Sequence, residues 1–165
     1  MSKASGRFSY HAGWGELSSG AAEDIVSFWV AEKALPGERE ARARVGQVVM
    51  YARDAEDSVA AVATALPQRP PQLGQPVYFY RSFVARRYRS SLVVLRLLRQ
   101  AVALLEDDAR AHDWPCIGVL LELENERFGE KGRMPVWPGL DFVYIGKSPR
   151  GLECRVRWFR DARLK

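Results

Sequence analysis

The sequence predicts a mixed α/β domain in which antiparallel strands surround a single parallel strand–helix–strand crossover. Three observations predict it. Two β-branched, apolar runs, residues 45–53 and 59–66, flank the turn-rich stretch Asp54-Ala55-Glu56-Asp57, the pattern of a hairpin. Residues 90–111 repeat Val94, Leu97, Leu98, Ala101, Leu104, Leu105 and Ala109 at three- and four-residue steps, the stripe of an amphipathic helix. That helix lies between an aromatic strand, 77–85, and 116–124, a nearly continuous apolar run of the kind buried on both faces. A crossover of this length joins parallel neighbours, and it is right-handed.

The other elements follow in chain order. Residues 1–20 are rich in Gly and Ser and are expected to be flexible in part, with Phe8 and Tyr10 alternating as in a short strand. Residues 21–35 place Ile25, Phe28, Trp29 and Leu35 along one helical face, which Glu32 interrupts. Ser18 or Ser19 can cap this helix and Pro36-Gly37 can stop it. A short charged helix is expected at 38–43. Residues 67–76 hold four prolines and a glycine and read as a loop. Ser90 or Ser91 can cap the long helix, which ends near Asp113-Trp114-Pro115. Two more strands, 141–147 and 153–159, are joined by the hairpin signal Ser148-Pro149-Arg150-Gly151.

Composition narrows the function classes. The chain has 165 residues, enough for one domain, residues 1–165, with a sizeable core, and its 47 % hydrophobic content excludes wholesale disorder. The run Leu92 to Leu105 is broken by Arg96, Arg99 and Gln100, so no stretch suits a membrane span. The N-terminus lacks an apolar signal core, which makes the expected address cytoplasmic. Cys116 and Cys154 have no metal-ligand spacing and read as buried thiols; His11 and His112 are isolated. No metal site is expected.

The net charge of +5 is unevenly spread: residues 81–99 carry six arginines and no acid, and residues 147–165 carry seven bases against Glu153 and Asp161. Basic patches on an otherwise acidic body suit an anion such as phosphate. The bland alternative is a genome that favours arginine, since Arg outnumbers Lys 20 to 5.

The central segment resembles the GNAT superfamily, the N-acetyltransferases that use acetyl-CoA. The family's strand-end hydrophobic–Val step is matched by Phe83-Val84, its Tyr-Arg pair by Tyr88-Arg89, its pyrophosphate loop by Ser90-Ser91-Leu92-Val93-Val94, and its Leu-Leu pair by Leu97-Leu98. Glu124-Asn125 resembles the family's strand-end Asn, and Val136–Phe142 its aromatic–x–x–x–Gly–Phe segment. The resemblance implies a GNAT-like mixed, mainly antiparallel sheet, splayed near the end of 77–85, with one central parallel βαβ crossover and helices on both faces. It implies transfer of an acyl group from acetyl-CoA or another acyl-CoA to an amine of a small molecule or protein, without a metal and away from membranes. It is compatible with a homodimer. Two departures stand out. The family's loop glycines, which let backbone amides approach phosphates, are replaced by Leu92 and Val94. Trp137 stands near the family's usual tyrosine acid.

By this resemblance the co-substrate would meet Phe83, Val84, Arg89, Ser90, Ser91, Leu92, Val93, Val94 and Asn125, mainly through backbone N–H groups. Val94 shares a face with Leu97, so Leu92 and Val94 are expected to turn into the core and leave Val93 at the helix mouth. The plainer reading of the loop is an ordinary Ser-capped core helix. Arg86 and Arg87 either meet the CoA phosphates or are solvated charge. Glu122 and Glu124 alternate on one strand; one of them can serve as general base through a water, or both form a polar edge paired with Arg155 and Arg157. Tyr144 is the remaining phenol able to protonate a thiolate, or else a half-buried strand aromatic; Trp137, between Pro135 and Pro138, reads as a core plug or a pocket wall. A rival of another class keeps the fold without catalysis. It is a module for a protein or nucleic acid, the latter bound by the two arginine patches with Tyr78, Tyr80, Tyr88 and Trp158 as stacking surfaces.

Overall fold

The computed structural model describes residues 7–89, 92–124 and 132–165. The elements are β1 (Ser9–Ala12), α1 (Ser19–Ala31), α2 (Glu38–Arg44), β2 (Val48–Arg53), β3 (Val59–Gln68), β4 (Val77–Val84), α3 (Val93–Ala111), β5 (Gly118–Glu122), β6 (Val143–Lys147) and β7 (Glu153–Trp158). The strands form a seven-stranded sheet in the order β1-β2-β3-β4-β5-β7-β6. Strand β4 pairs with β5 in parallel, Tyr78 opposite Val119 and Tyr80 opposite Leu121, with α3 as the crossover. This is the predicted unit. β4 runs on to Val84, past the last of these pairs.

The chain divides into two compact units, one of Met1–Ala65 and Ser82–Leu104, the other of Leu66–Arg81 and Leu105–Lys165. In the first, β2 is buried from Val48 to Ala52 and β3 from Val59 to Ala65, so both strands are covered on both faces, as their β-branched, alanine-rich sequences require. α1 buries Ile25, Phe28 and Trp29, and Phe28 meets Phe83 edge-on at 5.9 Å. Ser18 caps α1, accepting the Ala21 amide at 3.1 Å. The helix stops short of Pro36-Gly37. Lys33 takes the left-handed conformation (φ 55°), Ala34 N donates to Trp29 O and Lys33 N to Val30 O, which closes the carbonyl end of the helix. The run from 45 is likewise delayed, because Val45–Gln47 forms a 3-10 turn before β2 begins.

In the second unit, Val77, Leu120, Cys154 and Val156 form a core cluster to which Leu73, Phe79 and Ile145 are added. Both cysteines are buried free thiols; burial pushes Cys116 up to about 11, which keeps it protonated and inert. The 148–151 hairpin turn is present, with Gly151 N donating to Ser148 O at 2.8 Å. Gly118 lies where β5 passes β7. A Cβ there would come within 2.7 Å of Arg157 O, so Gly118→Ala is expected to cost about 1–3 kcal/mol, measured as a lowered urea midpoint.

Candidate functional site

In the first unit, the residues that follow β4 lead into α3. Ala85 N donates to Ala60 O at 2.8 Å, and a 3-10 turn, Arg86–Tyr88, follows. Tyr88 is the anchor of this turn. Its hydroxyl donates to Asp54 Oδ2 at 2.8 Å, and Arg87 Nη2 donates to the same oxygen at 2.9 Å. Asp54 Oδ1 accepts the amides of Glu56 (2.9 Å) and Ser58 (3.0 Å). One buried carboxylate therefore ties the β2–β3 turn to the turn after β4. Burial works to raise the Asp54 carboxyl, but hydrogen bonds from Tyr88, Ser58 and Glu56 and the charge of Arg87 leave it below the ordinary range. The Tyr88 ring also meets Phe8 edge-on at 4.9 Å and lies under the guanidinium groups of Arg7 and Arg87.

The Tyr-Arg step thus does two jobs. Tyr88 holds the turn to the body, and Arg89 stays exposed with its guanidinium 5.6 Å from the Phe83 ring centroid. Phe83 and Val84 are half-buried. Ser90 and Ser91 lie outside the described residues. The expected orientation of the loop is reversed: Leu92 is 58 % exposed, whereas Val93 is 1 % exposed and Val94 is half-buried. Because α3 begins at Val93, it is Val93, four residues before Leu97, that falls on the buried stripe, and Leu92 is left on the turn.

In the second unit, Glu122 and Glu124 do share a side, but their partner is Arg150, not Arg155 or Arg157. Arg150 Nη1 lies 2.6 Å from Glu122 Oε1 and 3.2 Å from Glu124 Oε1. The Glu122 side chain is largely covered and that of Glu124 is exposed. Asn125 lies outside the described residues. Tyr144 is exposed on β6, its ring 5.9 Å from the Arg155 guanidinium. Arg155 is wholly buried: it pairs with Glu153 at 3.1 Å and donates to the carbonyls of Gly132, Met134 and Pro135. Arg157 donates to Leu140 O at 3.0 Å. Trp137 is the expected plug, buried against Phe142, with its indole N–H donating to Gly132 O.

The expected stacking surface for nucleic acid is not present: Tyr78, Tyr80 and Tyr88 are buried, and of the four only Trp158 is exposed. Among the described residues there is no His/Cys/Asp/Glu group that could hold a metal, and no helix long and apolar enough to cross a membrane. Sequence reasoning missed Asp54 and Arg155 as organisers. Asp54 looked like one more turn residue, and its partners are 33 and 34 positions away.

No family model matches the sequence, and no curated protein matches it. Solved structures do. A GNAT-family acetyltransferase from Streptococcus pneumoniae is 10 % identical with a TM-score of 0.63, over 92 % of this chain and 99 % of that one. The ribosomal-protein-S5-alanine acetyltransferase of Vibrio fischeri is 9 % identical with a TM-score of 0.63, over 95 % and 96 %. A GNAT-family N-acetyltransferase from Escherichia coli, solved in complex with CoA, is 13 % identical with a TM-score of 0.61, over 94 % and 83 %. With its seven-stranded sheet and its parallel β4–β5 pair, the chain has the fold of the GNAT N-acetyltransferases.

Proposed function

We propose that the chain works as one acyltransferase domain and moves an acyl group from acyl-CoA to an amine. The observation that carries this reading is the passage from β4 through an arginine-bearing turn into the first turn of a 19-residue helix, on the GNAT fold. A helix start favours an anion, and residues 86–94 contain no carboxylate to oppose one. These residues fit a pyrophosphate: Arg89 is exposed beside the helix start, and the Leu92 side chain, in place of a family glycine, lies at the surface and can give way. The Escherichia coli neighbour binds CoA on this fold.

Bound acyl-CoA supplies an activated thioester carbonyl. The residues of this chain are then asked for three things. Backbone amides at the end of β4, by Phe83 and Val84, polarise the carbonyl. A base takes the proton from the attacking amine through water, as the C–N bond forms and the C–S bond breaks, and the sequence alone assigns that role to Glu122 or Glu124. The sequence likewise assigns the proton for the departing thiolate to Tyr144, an exposed residue. Most of the rate enhancement comes from positioning.

Calorimetry with CoA and acetyl-CoA tests this reading. The wild type is expected to bind. Leu92→Asp adds a carboxylate at an exposed position, so it is expected to fold normally and bind at least about tenfold more weakly, the effect of opposing one charge-assisted contact. Val93→Asp is unsuitable because it buries a charge. If the wild type has no CoA affinity, or Leu92→Asp binds as well as wild type, the loop is not a phosphate site and the chain is a binding module on this fold.

A further inference from the structure

Glu32 breaks the apolar stripe of α1's sequence, and the structure shows where it goes. The left-handed turn at Lys33 ends the helix, and Ala31, Glu32 and Lys33 line an open cavity of about 520 Å³ together with Arg86 and Arg87. Glu32 Oε2 accepts the Arg86 amide at 3.3 Å, which fixes a carboxylate in the lining. Arg87 is already paired with Asp54 at 2.9 Å. The Arg86 guanidinium and the Lys33 ammonium are exposed and have no ion-pair partner among the described residues.

Among the described residues the cavity therefore presents one carboxylate, Glu32, and two cations, Lys33 and Arg86, without an ion-pair partner. A simple amine would suit Glu32 and leave both cations bare. A polyanion would suit the cations and oppose Glu32. A molecule that carries an amine beside an acid group satisfies all three, and its acid can be held by charge-assisted hydrogen bonds from Arg86 and Lys33. We propose that this cavity binds the acyl acceptor, and that the acceptor is an amine bearing a carboxylate or phosphate, its amine directed to Glu32 and its acid to Arg86 and Lys33. The identification as acceptor rests on the acyltransferase reading above; the ligand class rests on the cavity alone. It assigns Arg86 to the acceptor rather than to CoA.

The test is binding to the full chain without CoA, followed by ligand-observed NMR or calorimetry. The probes are the twenty amino acids, 2-aminoethyl phosphate, and the carboxamide of each amino acid that binds. At least one acid-bearing probe is expected to bind, and its carboxamide to bind about tenfold or more weakly. Which probe binds, amino acid or aminoethyl phosphate, identifies the acid. Lys33→Gln is expected to weaken that preference while its CoA affinity, measured separately, stays unchanged, and the double variant Arg86→Gln, Lys33→Gln is expected to abolish the preference. The proposal is overturned if no acid-bearing probe binds, if the carboxamides bind equally well, or if the double variant keeps the acid preference. CoA binding without acid-bearing amines sinks the cavity proposal and leaves the transferase; acid-bearing amines without CoA support the cavity's ligand class and sink the transferase.

Discussion

Asp54→Ala is expected to lower the stability of the chain by about 3 kcal/mol or more. The carboxylate is 7 % exposed and accepts from four donors: the Tyr88 hydroxyl, Arg87 Nη2 and the amides of Glu56 and Ser58. Its removal takes a partner from a buried phenol, at about 1–3 kcal/mol, and the side-chain cap from two amides of exposed turn residues, at about 0.5–2 kcal/mol. The Arg87 pair contributes little to this sum, because that guanidinium is largely exposed. Urea unfolding of the variant measures the effect. A loss below about 1 kcal/mol would mean that the network is not what holds the turn after β4.

The same carboxylate sets a pH dependence. Its folded-state pKa is lowered, so its contribution is present above the unfolded value, about 3.9 for Asp, and is lost as pH falls through the lower folded value. The stability gap between wild type and Asp54→Ala is therefore expected to be full near neutrality and to shrink below about pH 4. A gap that grows on acidification would contradict the assignment. The functional consequence lies next door in sequence. Tyr88 fixes the turn from which Arg89 and the start of α3 follow, so Asp54→Ala is also expected to weaken CoA binding on the acyltransferase reading.

How much of this was legible beforehand depends on the range of each interaction. Period and composition are local properties, so the β2–β3 hairpin, the α3 stripe and the β4–α3–β5 crossover could be read from the chain. Errors clustered where one residue decides a boundary. Lys33 closes α1 in a conformation that L-residues with long side chains rarely adopt, so nothing in the sequence announced it. Leu92 and Val93 exchanged roles because the helix begins at Val93, and on a helix a shift of one residue turns a side chain by about 100°. The carboxylates were harder still. Glu122 and Glu124 could be placed on one side by alternation, but the choice of Arg150 over Arg155 depends on a hairpin turn bringing residue 150 back to residues 122 and 124. Glu32 was visible only as a blemish on a stripe, because the amide it accepts, that of Arg86, lies 54 positions away.

Arg155→Met is expected to be the costlier of the two core changes, at about 3–5 kcal/mol. Arg155 is 1 % exposed, and nearly all of its hydrogen-bonding capacity is spent: Nη1 on Met134 O at 2.7 Å and on Pro135 O at 3.3 Å, Nη2 on Gly132 O at 2.9 Å, Nε on Glu153 at 3.1 Å. Its planar face lies 4.6 Å from the Trp137 ring centroid. Methionine roughly fills the volume but returns none of the donors, so the irregular segment 132–137 loses what holds its carbonyls inward. Arg155→Lys is expected to recover only part of the loss, since an ammonium cannot reproduce the fork. Segment 132–137 also bridges to β6, Val136 opposite Val143, and Tyr144 N donates to Pro135 O at 2.8 Å. Loosening it should therefore free the strand that carries Tyr144, the proposed proton donor, and turnover should fall more than acyl-CoA affinity does. Hydrogen exchange of peptides spanning 132–147 reads the local effect, and urea unfolding the global one. A variant within about 1 kcal/mol of wild type, with unchanged exchange there, would show that Trp137 and Phe142 hold the segment without the buried guanidinium.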